Sequence, residues 1–316
     1  MRRYQKFVNL FVFIILVFTV IDLNYNPFQL NPLEVSMEVP TSSTDELYME
    51  IEQKSKEYKE EPQNAYIDNV WKKTPGRNGR QVDVNASYEK MKDDENRFND
   101  DLFVFDEIPP EVSLDDLPAS PIYRGHPEKQ MTAFLINVSW GEEYIPEILQ
   151  VLKKHEVKAT FFIEGKWAKE NSEIVQMIDE QGHLIGNHAY NHPDMATLSE
   201  EEAYNQINQT NQILNAITGE TPKWFAPPSG SFSDTVVQTA ADLNMETILW
   251  TVDTIDWKNP SVSVMVNRIR EKIHPGATVL MHPTASSTRG LEEMITIIKE
   301  KGYKIGTIEA LLSEDR

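Results

Sequence analysis

Two histidines separated by three residues, His188 and His192, are the first candidates for chemistry in this sequence. With this spacing, two imidazoles can converge on one metal ion, from one face of a helix or from a turn. Pro193 follows directly, so the sequence leaves helix and turn open. The spacing alone is a weak signal, because paired histidines are more often polar surface residues than ligands.

A third histidine, His282, ends the apolar run 278–281 and by itself would be read as a core histidine. Asp253 and Asp256 change that interpretation. A carboxylate that accepts a hydrogen bond from an imidazole fixes its tautomer and orientation. An imidazole held in this way can protonate a leaving amine as a general acid. The pattern therefore favours His282 with Asp253 or Asp256 as a catalytic pair.

These candidates follow predicted strands, and the strands alternate with amphipathic helices. The predicted strands are 132–138, 159–163, 184–187, 224–226, 246–252, 278–281 and 303–305, and the predicted helices cover 145–152, 199–217, 259–273 and 291–298. Strand–helix alternation predicts an α/β fold with a parallel sheet, here an incomplete, distorted (β/α) barrel of about seven strands. Barrels carry their chemistry on loops at the C-terminal ends of strands, so the candidates are expected at one rim.

Aromatic side chains accompany the same loops: Trp140, Tyr190, Trp224 and Trp257. Sugar rings stack on exposed aromatic faces, so we expect these residues, together with Asp253, to line a substrate groove. For Trp257, packing in the core stays an equal alternative.

The ordered set His188-x3-His192, Asp253-x2-Asp256-Trp257 and Leu280-x-His282 resembles the polysaccharide deacetylase (NodB-homology) family. The segments 158–162 and 186–188 add to the resemblance, which covers about residues 120–315. It implies removal of acetyl groups from a cell-wall glycan such as peptidoglycan, or from chitin, by metal-dependent amide or ester hydrolysis. In this family one Asp and two His hold a divalent metal, a neighbouring Asp is the base and a later His is the acid.

The resemblance assigns His188 and His192 to the metal, expected to be zinc, His282 to the acid and Asp256 to its partner. Trp257 matches a groove-lining aromatic residue.

The chain departs from the family at three positions. Where the family has Thr-Phe-Asp-Asp-Gly, residues 137–141 read Asn-Val-Ser-Trp-Gly. Ser139 therefore replaces the base, Trp140 replaces the metal-binding Asp, and Ala226 replaces the Arg that pairs with the base.

Two hypotheses follow from these departures. One is a polysaccharide deacetylase with an atypical metal shell, to which Glu142 or Glu143 could contribute a carboxylate. The other is a catalytically silent, glycan-binding scaffold on the same fold.

Composition bounds the partners and the compartment. The net charge of −20 argues against nucleic-acid binding, and the absence of cysteine excludes disulfides and thiolate metal sites. Basic residues ahead of the apolar run 7–21 predict a signal anchor or cleaved signal peptide over residues 1–22. The protein is then expected outside the cytoplasm, membrane-anchored or secreted, as a monomer.

Residues 23–118 hold 22 acidic and 10 basic residues and show no sustained period. They predict a mostly disordered linker with a short helix around 45–59. A small acidic domain is the alternative. The deacetylase-like domain is expected over residues 119–316.

Overall fold

The computed structural model describes residues 46–94 and 97–316. The predicted membrane segment, residues 1–22, and the linker as far as residue 45 lie outside the described residues. Within the described part of the chain, no helix is long and apolar enough to cross a membrane.

Residues 46–118, where described, form a small folded unit. Its elements are α1 (Glu46–Ser55), β1 (Tyr66–Asp68), β2 (Lys72–Thr74), β3 (Gly79–Val82), α2 (Val84–Asp93) and β4 (Phe105–Ile108). β1 pairs with β2 and β3 with β4, both antiparallel. A separate core of apolar side chains consists of Leu47, Ile51, Val82, Tyr88, Met91 and Phe103.

The predicted disordered linker is therefore wrong for these residues, although the short helix predicted around 45–59 is present as α1. The strands of this unit are only three or four residues long. A strand of that length shows no period in the sequence, and its partner strand is not marked either.

The rest of the chain builds one parallel sheet surrounded by helices. Its elements are β5 (Met131–Val138), α3 (Ile145–Lys154), β6 (Thr160–Ile163), α4 (Gly165–Glu170), α5 (Ser172–Glu180), β7 (Leu184–Asn187), α6 (Glu200–Thr218), β8 (Trp224–Phe225), α7 (Asp234–Asp242), β9 (Glu246–Thr247), β10 (Val252–Asp253), α8 (Val262–Lys272), β11 (Thr278–Met281), α9 (Ala285–Glu300), β12 (Lys304–Gly306) and α10 (Ile308–Leu312). The strand order is β10-β11-β5-β6-β7-β8-β9, and β12 pairs with β5.

The strand predicted over residues 246–252 is in fact two strands. β9 pairs with β8 at one edge of the sheet, and β10 pairs with β11 at the other. The four residues 248–251 therefore connect the two edges, which is how the barrel comes to be incomplete and distorted. The sheet consequently has eight strands instead of about seven.

Alternate residues of each strand face two different cores, as a parallel sheet requires. One core lies between the sheet and the helices and includes Ile136, Val138 and Ile163. The other core fills the barrel and includes Leu135, Phe162 and Ala226. This alternation decides which side chains beyond each strand point into the barrel mouth.

The helix signals in the sequence agree with the structure in most places. Ser199 and Glu202 form the predicted capping box at the start of α6. The helix expected from Asn259-Pro260 begins later, at Val262, because Asn259 has a left-handed backbone with φ of 50°.

Ion pairs tie the N-terminal unit to the barrel. The ammonium of Lys73, only 2% exposed, lies 2.6 Å from Glu246 at the start of β9. Arg77 lies 3.0 Å from Glu128, and the guanidinium of Arg316 bonds Glu60. The unit therefore docks on the barrel through cationic side chains that are buried or half-buried, paired with carboxylates that are half-buried or exposed.

Candidate active site

The strand ends meet at the barrel mouth because neighbouring strands are in close register. Val138 pairs with Ile163, which pairs with Asn187, which in turn pairs with Phe225. The next residue of each strand is therefore part of one row: Ser139, Glu164, His188 and Ala226. On the other side of β5, Met281 pairs with Ile136, which brings His282 to the same rim.

His188 is fully buried at the end of β7. Its Nδ1 lies 2.7 Å from the carbonyl oxygen of Ala226. A carbonyl only accepts, so Nδ1 carries the proton and Nε2 is left as an acceptor facing the mouth. Burial, together with the nearby His192 and His282, lowers the pKa of His188 to about 3, so the ring is neutral.

His192 reaches the same place from a turn, which resolves the alternative left open by the sequence. Ala189 and His192 have φ of 61° and 57°, so the segment is not a helix. The amide of Asn187 holds the turn by donating to Ile207 O and accepting from Ala189 N, both at 2.8 Å. The rings of His188 and His192 lie 5.2 Å apart, edge to face.

His282 and Asp256 form the predicted pair. Nδ1 of His282 lies 2.8 Å from Oδ1 of Asp256, and the backbone N–H of His282 donates to Oδ2 at 2.6 Å. The hydroxyl of Ser287 also donates to Oδ2. Asp256 is completely buried and accepts hydrogen bonds from several donors. It therefore fixes the orientation and the tautomer of the imidazole.

Trp140 covers His282. Their ring centroids lie 5.3 Å apart with an interplanar angle of 12°, which is a stacked pair. The indole is 44% exposed, so one face remains open to solvent. The following Gly141 has φ of 83°, and a Cβ there would collide with the carbonyl of Pro283. Loop 139–141 therefore lies directly against the His282 strand end.

The other predicted groove residues occupy different positions. Trp257 is 51% exposed, with the ammonium of Lys258 4.7 Å from its ring centre. Asp253 accepts from Ile255 N at 2.7 Å and so shapes the loop ahead of Asp256. Tyr190, half-buried, follows the His188 turn.

Trp224, in contrast, begins β8 and packs in the barrel core with Ala226. The prediction that Trp224 lies near the rim is therefore wrong, because Trp224 is at the opposite end of its strand.

The residues present do not fit the three-ligand metal site that the resemblance implies. In the described ranges, 46–94 and 97–316, no group of three His, Cys, Asp or Glu side chains is placed to hold a metal ion. An indole offers only a donor at position 140. Glu142 and Glu143 do not supply the missing ligand: both are exposed, and Glu142 accepts from Trp167 at 3.4 Å.

Two inward-facing residues were missed by the sequence reasoning, Asn137 and Glu164. Asn137 is 3% exposed and Glu164 is 8% exposed. The sequence does contain a signal for both: Asn137 is a polar residue near the end of the apolar strand 132–138, and Glu164 is a polar residue directly after the apolar strand 160–163.

The barrel, the strand-end histidines and the His282–Asp256 pair define a protein of the polysaccharide deacetylase class. Comparison with known proteins agrees: the polysaccharide deacetylase family matches residues 124–248. A crystal structure of BA3943, a carbohydrate esterase family 4 pseudoenzyme from Bacillus anthracis, is 54% identical, with a TM-score of 0.82 over 85% of this chain and 96% of that one. The chain therefore belongs to the polysaccharide deacetylase family, carbohydrate esterase family 4.

Other relatives match either nearly the whole chain or only part of it. The Bacillus subtilis (strain 168) protein YlxY is 46% identical over 316 residues, 99% of each chain. The peptidoglycan-N-acetylglucosamine deacetylase of Bacillus cereus is 37% identical over 179 residues, 55% of this chain and 65% of that one. A BA3943 mutant with restored enzymatic activity is 53% identical, with a TM-score of 0.82 over 85% of this chain and 99% of that one.

Proposed function

We propose that this protein binds a cell-wall glycan of the peptidoglycan type at the barrel mouth and does not deacetylate it at an appreciable rate. The stacking of Trp140 on His282, with ring centroids 5.3 Å apart, carries this proposal. The aromatic ring stands at the position that the resemblance gives to a metal-binding carboxylate. The mouth has gained a surface for a sugar and lacks a ligand for a metal.

Exposed aromatic faces support glycan binding. Trp140 and Trp257 are 44% and 51% exposed, among the most exposed large apolar side chains of the described residues. Lys258 covers one face of Trp257, so the opposite face is available to a sugar ring. Large aromatic side chains with one open face are typical anchors of binding sites.

The substitution at position 139 opposes hydrolysis independently of the metal. A serine hydroxyl is a poor general base near neutral pH, and loss of a general base typically costs about 10²–10⁴-fold in rate. Ala226 in place of the Arg agrees with this loss, since a buried guanidinium without its carboxylate would be costly. The relatives' activity on peptidoglycan supplies the substrate class of the proposal.

The test is binding to purified peptidoglycan together with measurement of acetate release from it. We expect retention of the protein on the polymer, no acetate above background with or without added Zn²⁺, and about tenfold weaker binding by Trp257→Ala. Tyr66→Ala, an exposed aromatic residue of the N-terminal unit, is the matched control. Equal binding by both variants, or no retention of the wild type, would contradict the proposal.

A second candidate function is slow deacetylation with an atypical metal shell. The intact pair of His282 and Asp256 favours it, because a silent scaffold does not need an oriented general acid. Zn²⁺-dependent acetate release that disappears in His282→Ala would establish this alternative.

We further propose an extracytoplasmic location, anchored to the membrane or secreted, from the basic residues and apolar run of residues 1–22. Fractionation of cells expressing the full chain tests it.

A further inference from the structure

A buried carboxylate stands at the centre of the barrel mouth and has no role in the resemblance. Glu164 directly follows β6, and its backbone N–H donates to Val138 O at 2.9 Å. By register it lies between Ser139 and His188. Glu164 is 8% exposed, and among the residues that the structure describes no cationic side chain forms an ion pair with it, which is unusual for a buried glutamate.

The alternation of the strands turns this carboxylate inward. Phe162, two residues earlier, belongs to the core that fills the barrel, whereas Ile163 faces the helices. Glu164 therefore points to the same side as Phe162. The same period directs Asn137 inward, since it follows Leu135 of the inner core by two residues.

The groups around Glu164 have unfilled hydrogen-bonding capacity. Oδ1 of Asn137 and Oγ of Ser139 are buried and lack a hydrogen bond of regular geometry. Nε2 of His188 is an acceptor, because Nδ1 donates to Ala226 O. Burial raises the pKa of Glu164, and the nearby Ser139 hydroxyl offsets part of that rise. Three of these groups are acceptors, namely the carboxylate of Glu164, Oδ1 of Asn137 and Nε2 of His188, whereas the Ser139 hydroxyl is a donor towards Glu164. Buried acceptors of this kind call for a donor.

We propose that this acceptor-lined mouth binds the primary ammonium group of a de-N-acetylated amino sugar, with Glu164 as its carboxylate partner. This inference rests on the proposed glycan-binding function and names the form of the glycan. An ammonium offers three donors and one positive charge, which match a carboxylate and neighbouring acceptors. An acetamido group offers one donor and brings a carbonyl oxygen, which these acceptors disfavour.

The aromatic rim fits the same ligand. The face of Trp140 turned away from His282 is open to solvent and would contact the sugar ring or its ammonium group. The protein would then recognise the product of its active relatives and not their substrate.

The test compares binding of a β-1,4-linked glucosamine tetramer and its fully N-acetylated counterpart to the full chain, by calorimetry at fixed salt. We expect the glucosamine tetramer to bind at least about tenfold more tightly, as one charge-assisted hydrogen bond allows. Glu164→Gln should abolish this preference, so that the two tetramers bind about equally.

The matched control is Glu142→Gln, which removes an equal charge from an exposed side chain just past the neighbouring strand. It should keep the preference, which separates a specific carboxylate from general attraction of a cationic oligomer to an acidic protein. Thermal unfolding of both variants checks the fold.

The outcomes are distinguishable. Failure of both tetramers to bind the wild type would overturn the proposed function and this inference with it. Equal binding of the two tetramers, or a preference that survives Glu164→Gln, would overturn this inference alone.

Discussion

We predict that Glu164 affects the activity of a variant in which the three family residues missing from this chain are restored. The repair consists of Ser139→Asp, Trp140→Asp and Ala226→Arg, which together introduce the residues that the resemblance assigns as the base, the third metal ligand and the partner of the base. Arg at position 226 leaves the backbone carbonyl that orients His188 in place. A mutant of the similar protein BA3943 has restored enzymatic activity, which motivates the same kind of experiment here.

The register places the carboxylate introduced by Ser139→Asp beside Glu164, on strands that pair at Val138 and Ile163. Neighbouring strands lie about 4.8 Å apart. Two carboxylates about 5 Å apart repel by about 3 kcal/mol at an effective dielectric constant of about 20. The repulsion corresponds to about 2 pKa units, so the pair of carboxyl groups titrates about 2 pH units higher than an isolated carboxyl group. The base at position 139 is then lost to protonation in the acidic range, while near neutral pH most of it stays ionised.

We therefore expect the acidic side of the pH–rate profile of the triple variant to lie about 2 pH units above that of the same variant carrying Glu164→Gln, so that the quadruple variant is about 10–100-fold faster at about pH 4–5 and nearly equal near neutral pH. The assay is acetate release from N-acetylglucosamine oligomers with added Zn²⁺, and metal content is measured in parallel. Glu142→Gln in the triple background is the control and should change little.

Acidic sides at the same pH in the triple and quadruple variants, with equal metal content, would refute the placement of Glu164 beside position 139. A difference in rate that persists unchanged at neutral pH would refute the argument from charge repulsion.

Two further predictions concern stability. Lys73→Ala should lower the free energy of unfolding by about 3 kcal/mol, because it leaves Glu246 without its buried partner. The control Lys59→Ala breaks an exposed ion pair and should lower the free energy of unfolding by less than about 1 kcal/mol. Urea unfolding measures both changes. His183 is buried, its Nδ1 accepts from Ala159 N, and burial lowers its pKa to about 4 from 6.5. A depressed histidine pKa means that stability is full above pH 6.5 and falls as the pH drops towards 4, by about 3 kcal/mol at pH 4. His183→Asn keeps an acceptor for Ala159 and removes the titration, so it should flatten this part of the pH profile; an unchanged slope would show that other groups cause it.

Much of the barrel was predictable because its elements are locally encoded. The apolar residues of α3 and α9 recur with the period of a helix, and Ser199 with Glu202 announces the start of α6. The order of strands and helices then limits the topology to a parallel sheet. The pairing of His282 with Asp256 followed from the resemblance, and the structure brings them together because His282 directly follows β11 and Asp256 lies in the loop after the neighbouring β10.

The N-terminal unit was not predictable in the same way. β3 and β4 are four residues each, and 22 residues separate the end of one from the start of the other. Strands this short carry no periodic signal, and an acidic composition conceals a core of a few apolar side chains. Likewise, nothing local indicates that residues 246–253 divide between the two edges of the sheet.

The sequence by itself determined which side chains are present: three histidines, one supporting carboxylate, and no aspartate at positions 139 and 140. Only the tertiary structure decided which of them share the barrel mouth. Strand register brings Glu164 between Ser139 and His188 and turns Asn137 inward, and it places Trp140 on His282. These relations arise from pairing between distant segments, and one residue of slip would turn each side chain to the opposite face of the sheet.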